Sequence, residues 1–163
     1  IAELKKRMGL QAADIEKVEV APYRAGLEVA HYDSPRTPAE GRFSLKYVVA
    51  TGLQHGSVRL SAFTQERLQE KKTKDLLGKI SVRLDPELDA AFPGKRAARV
   101  AITDRGRREE ILQPTRKGDP DLPLTDAEVD AKFLELAAPV LGEAPAKMLL
   151  QRLWRLETEP SAG

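Results

Sequence analysis

The stretch AARVAITDRGRREEIL, residues 97–112, decides how the fold is read. Two strand-like runs, AARVAIT and RREEIL, flank Asp104, Arg105 and Gly106. A short loop containing Gly between two such runs predicts a hairpin, and hairpin strands pair antiparallel. Antiparallel pairing with helices on one face makes an α+β two-layer sandwich with a mainly antiparallel sheet. Strict strand–helix–strand alternation is absent from the chain, so a doubly wound parallel sheet ranks second.

Upstream of the hairpin, IEKVEVA (15–21) reads as a strand from its β-branched content, ended by Pro22, although its alternation is imperfect. GLEVA (26–30) reads as a second short strand, and HYDSPRTP (31–38) as a loop. TPAEGRFSLKYVVATGLQHG (37–56) predicts one helix over about 39–55. TQERLQEKKTKDLL (64–77) predicts a polar surface helix with Thr64 as its cap. Glu70 and Lys74 form a favourable i,i+4 pair there, and Gly78 ends the helix. ISVRL (80–84) alternates like a strand, and DPELDAAFPG (85–94) reads as a loop with one helical turn.

Downstream, Thr125 and Glu128 have capping-box spacing, with Leu124 and Val129 spaced as a hydrophobic staple. That helix is expected to run to about Leu141 and stop at Gly142. Pro145 suits the first turn of a last helix, whose apolar residues include Leu149, Leu150, Leu153, Trp154 and Leu156; Trp154 is expected in the core. RKGDPD (116–121) reads as a solvated turn rather than an anion site. The organisation expected is one domain over 1–163: a connecting helix at 1–9, an ordered body over about 10–157 and a tail at 158–163. The opening in mid-helix at Ile1 predicts a piece of a longer polypeptide.

Composition excludes several chemistries. With 27 Lys plus Arg against 25 Asp plus Glu, the net charge is +2, too even for a nucleic-acid partner. No Cys is present, which removes disulfides, thiolate zinc sites, cysteine-ligated iron–sulfur clusters and Cys nucleophiles. Apolar runs fall far short of the ~20 residues that cross a bilayer, so no membrane partner is expected. The two histidines, His31 and His55, are far apart in sequence and read as loop or helix-end residues; no metal site is expected.

The helix over 39–55 carries the residues of interest. Phe43, Tyr47, Ala50 and Thr51 share one face, and Leu45, Val48, Val49, Gly52 and Leu53 another. A buried phenol needs a hydrogen-bond partner, which sets Tyr47 apart from the apolar positions. Arg42 and Lys46, one turn apart, are of the type that holds carboxylates together with Tyr47. Ser44 adds a hydroxyl.

Two ordered blocks resemble the C-terminal part of the MmgE/PrpD family. The first is 37–64, through Arg42-Phe43-Ser44, Tyr47, Ala50, Gly56 and Phe63-Thr64. The second is KGDPDLPLTDAEVDAKF (117–133), through Gly118, Pro120, Pro123, Leu124, Thr125, Lys132 and Phe133. The family includes 2-methylcitrate dehydratase, cis-aconitate decarboxylase and iminodisuccinate epimerase, which work at a carbon α to a carboxylate without metal. The resemblance implies a lid domain covering a cleft whose main catalytic residues lie on a helical domain N-terminal to it. Tyr47 matches a tyrosine near the active site in some members and is the implied catalytic residue, with Arg42, Ser44 and Lys46 as implied substrate contacts. It also implies no cofactor, a small polycarboxylate substrate, a homodimer and a cytoplasmic location. The isolated chain is expected to be inactive. A stand-alone α+β binding module for a protein or small acidic ligand is the alternative. Helix 1–9 and the start of helix 39–55 are the expected sources of an apolar face toward the larger domain.

Overall fold

The computed structural model describes residues 1–158, so all of the expected tail except Thr158 lies outside the described residues. The chain divides into two units, Ile1–Arg116 and Lys117–Gly163. In the first, α1 (Ala2–Met8) leads to β1 (Ile15–Pro22), α2 (Arg24–Val29), α3 (Pro38–Arg42) and α4 (Leu45–His55). Then come α5 (Gln65–Gln69), α6 (Lys71–Leu77), β2 (Ile80–Val82), α7 (Pro86–Ala90) and the hairpin β3 (Ala98–Asp104) and β4 (Arg107–Gln113). The second unit contains α8 (Asp126–Leu141) and α9 (Glu143–Leu153).

The strands form one sheet in the order β2-β1-β3-β4. β1 pairs antiparallel with β3, and β3 with β4, as the hairpin requires. β2 joins β1 in parallel, with Val18 opposite Ile80 and Val20 opposite Val82. The sheet is therefore mixed within an α+β fold. The parallel edge arises because five helices, α2 to α6, separate β1 from β2, and such a crossover returns the chain in the same direction.

Alternation sorts the two faces of the sheet. Val18 lies opposite Ile102, and Val20 opposite Val100. These four cluster with Leu4 and Met8 of α1, Val49, Ala50 and Leu53 of α4, and Leu76 of α6. Between them lie Glu19 and Ala101, and the side chains around this pair on the other face are largely charged. Glu19 meets Lys17 at 3.2 Å and Arg108 at 3.5 Å, and Arg108 reaches Glu110 at 2.8 Å. Arg99 links Glu110 to Asp85, the residue that caps α7. One face thus faces helices and the other is an ion-pair lattice, which accounts for the two layers.

Three local expectations change. The stretch 26–30 is not a strand: Arg24–Val29 is helical, and the sheet edge beside β1 is taken by β2. The helix expected over 39–55 is two helices. Thr37 caps α3, with Pro38 in its first turn, and Ser44 caps α4 by accepting from the Tyr47 amide at 3.1 Å. The polar helix over 64–77 also breaks, at Glu70, whose backbone is extended. Its Leu68, Thr73 and Leu76 are buried, so it is not a wholly solvated element. Glu70 does not pair with Lys74; its carboxylate turns to His55 and Arg67.

The second unit follows its sequence signals at the ends. Thr125 and Glu128 form the reciprocal capping box, and α8 stops at Gly142. Its apolar side chains are not enclosed. Val140 is 82% exposed and Met148 66%, and Leu136, Leu153 and Trp154 are also exposed. Trp154 is therefore not core; its indole N–H donates to Asp130 at 2.6 Å. The expected apolar face at helix 1–9 is covered instead, because Leu4 and Met8 insert beneath the sheet.

Glu128 accepts from the Thr125 amide at 2.8 Å and pairs with Lys117 at 2.9 Å. The Thr125 amide, Lys117 and the Thr125 hydroxyl together hold its carboxyl down from 4.5 to about 2. A carboxyl held below its ordinary value favours the folded form above that value, and the contribution disappears as pH falls toward the lowered one. Titration of the Glu128 carboxyl by NMR should give a midpoint of about 2. A midpoint near 4.5 would show that the box is open in solution.

Candidate functional site

The region around the start of α4 is built from three short pieces. α3 ends at Arg42, Phe43 turns the chain, and Ser44 opens α4. The Leu60–Phe63 turn crosses beside them. The pieces pack closely at Gly41, where a Cβ would meet Tyr47 Cδ1 at 3.4 Å and Phe63 Cδ1 at 3.5 Å, ordinary contact distances.

The four residues singled out from the sequence have different surroundings. Tyr47 is 1% exposed, and its hydroxyl donates to the Ala62 carbonyl at 2.5 Å. Burial pushes its pKa above the usual phenol value, so it is a neutral donor at ordinary pH. Ser44 is fully buried, with its oxygen engaged as the cap of α4. Arg42 is exposed and lies over the Phe63 ring, 5.8 Å from its centroid. The Tyr47 ring lies 6.1 Å from the same ring. Arg42 and Tyr47 thus both adjoin one aromatic side chain, that of Phe63. Lys46 points elsewhere and pairs with Asp33 at 2.9 Å. Phe43 is 48% exposed, the one large apolar side chain at this helix start that remains open.

The MmgE/PrpD C-terminal domain family model matches residues 1–158. The chain belongs to this family. No curated protein matches it significantly. The MmgE/PrpD domain here contains, among its described residues, no helix long and apolar enough to cross a membrane.

A second constellation at the other end of α4 was missed by sequence reasoning. His55 ends the helix, and Gly56 follows in the left-handed conformation with its amide on the Gly52 carbonyl at 2.9 Å. The chain then returns through Ser57, Arg59 and Ser61 past Thr51, and Arg67 of α5 closes the ring. These residues line a cleft of about 280 Å³. Glu70, at the break between α5 and α6, holds His55 at 2.8 Å and Arg67 at 3.5 Å, and accepts from the Thr73 hydroxyl at 3.3 Å. Burial raises its carboxyl, but the His55 bond and charge, the Thr73 hydroxyl and Arg67 outweigh this and leave it below the usual range. The sequence signal was HGSVRLSAF, in which a histidine, an arginine and two serines follow closely on one another.

His31 lies apart from His55, in an isolated bridge with Ser44. Its Nδ1 is 3.0 Å from the Glu28 carbonyl oxygen.

Because the Tyr47 hydroxyl is the buried partner of the Ala62 carbonyl, Tyr47→Phe should lower the stability of the chain by about 1–3 kcal/mol, the cost of leaving that acceptor unpaired. Urea denaturation of both proteins measures this. An unchanged midpoint would place the phenol in water.

Proposed function

We propose that the chain is the lid over the active-site cleft of a metal-independent lyase or isomerase acting on small polycarboxylates. 2-Methylcitrate dehydratase, cis-aconitate decarboxylase and iminodisuccinate epimerase define the class of reaction. The main acid–base groups belong to a helical domain N-terminal to this one in the same polypeptide, which works as a cytoplasmic homodimer without a cofactor. The observation that carries this reading is the family match over residues 1–158. The resemblance of 37–64 to the family assigns Tyr47 its role, and an exposed Arg42 lies at the same helix start.

The chemistry fits the residues. Removing a proton from a carbon α to a carboxylate builds enolate charge, which donors and cations must stabilise. Tyr47 is a protonated donor, and on closure its hydroxyl exchanges the Ala62 carbonyl for a substrate oxygen. Arg42 supplies a cation at the same helix start, and Lys46 a second one that leaves Asp33. Ser44 acts at one remove, by holding the first turn that carries Tyr47. Closure would also exclude water from the enolate, the usual service of a lid.

The 163-residue chain alone should show no turnover of 2-methylcitrate, cis-aconitate or iminodisuccinate. The polypeptide that includes the upstream domain should turn over one of them. There, Arg42→Gln should raise KM by about tenfold, equivalent to ~1.4 kcal/mol of lost binding, with the melting temperature unchanged. Turnover by the isolated chain would overturn the lid assignment. An unchanged KM would remove Arg42 from the substrate site.

A further inference from the structure

We propose that the cleft at the C-terminal end of α4 is a binding site for a carboxylate group of a small di- or tricarboxylic acid. The inference does not depend on the lid reading, because every group it uses lies in residues 51–70.

The first observation is an unsatisfied group. The Thr51 side-chain oxygen is buried and has no hydrogen-bond partner, although it lies close to the Tyr47 phenol. Buried polar atoms in folded proteins are nearly always paired, and an exception calls for a water or a ligand. Thr51 is 2% exposed and contributes to the wall of the cleft.

The second observation is the charge and chemistry of the same walls. His55, Arg59 and Arg67 bring imidazole and two guanidinium groups to the cleft, and Ser57 and Ser61 bring hydroxyls. Glu70 does not line it; it stands behind, holding His55 and Arg67. Arg67 touches Glu70 at 3.5 Å and His55 at 3.4 Å, both at the outer limit of hydrogen bonding. A carboxylate presenting two oxygens to the planar fork makes shorter, charge-assisted bonds and competes well with such contacts.

A third consideration selects the ligand. Phosphate sites commonly rest on backbone amides at a helix N-terminus or in a nest. This cleft is at the opposite end of α4, where the helix contributes about half a negative charge. Full side-chain cations must overcome that, and their forked geometry matches a planar carboxylate. At about 280 Å³ the cleft is at the small end for a ligand site, which suits a compact acid.

The experiment is an amide-detected NMR titration of the 163-residue chain with citrate at constant ionic strength, repeated with inorganic phosphate. Saturable shifts confined to residues 51–67 are expected with citrate, and affinity for phosphate at least tenfold weaker. Arg67→Gln should weaken citrate binding at least tenfold. Thr51→Val keeps the shape and removes only the unpaired hydroxyl, so it should leave the melting temperature unchanged or higher while weakening citrate severalfold. It decides the question if the Arg67 variant does not fold. Non-saturating shifts spread over surface lysines and arginines, equal affinity for phosphate, or full citrate affinity in Thr51→Val would each overturn the proposal.

Discussion

Strand β1 has neighbours on both sides, and the first unit is arranged around that constraint. One side of it must satisfy β3, antiparallel, and the other β2, parallel. A strand held on both edges has a fixed register, because a slip of one residue would turn Val18 and Val20 to the charged face and Glu19 into the core. With the register fixed, the inner face is a ready apolar surface of Val18, Val20, Val100 and Ile102. α1, α4 and α6 cover it. The outer face needs no cover, since Glu19, Arg108, Glu110 and Arg99 satisfy one another there.

Once α4 is seated by Val49, Ala50 and Leu53, its two ends are held as well. At the start, the polar atoms are bound inward: Ser44 to the helix backbone and Tyr47 to Ala62. At the end, they face a cleft, and Glu70 arranges them from behind. The helix thus separates a region where hydrogen bonds serve the fold from one where a buried hydroxyl is left over. Both ends meet the Leu60–Phe63 turn: Ala62 accepts from the Tyr47 hydroxyl and also lines the cleft.

The second unit shows how far local signals carry. Its capping box and its Gly142 stop are contacts within a few residues, and the structure has both. The burial of Trp154 was a different kind of inference. It assumed that an apolar helix finds a partner, and here Leu153 and Trp154 remain open. The same limit explains the helix breaks. Nothing in the hydrophobic period marks Ser44 as a cap rather than an interior residue. Thr64 and Ser44 have the same chemistry, but Ser44 lies inside a stretch that reads as one helix.

Sequence by itself determined the hairpin, the box at Thr125, the ends of α8 and the family, because each depends on residues near one another in the chain or on an ordered motif. It also determined that Tyr47 had to find a hydrogen-bond partner. Tertiary structure alone decided that the partner is the carbonyl of Ala62, that β2 rather than 26–30 takes the edge beside β1, and that Thr51, His55 and Arg67 share a cleft. The reason is physical: a cap or a turn is satisfied by neighbours a few bonds away, whereas a partner across the fold is chosen by which apolar faces pack.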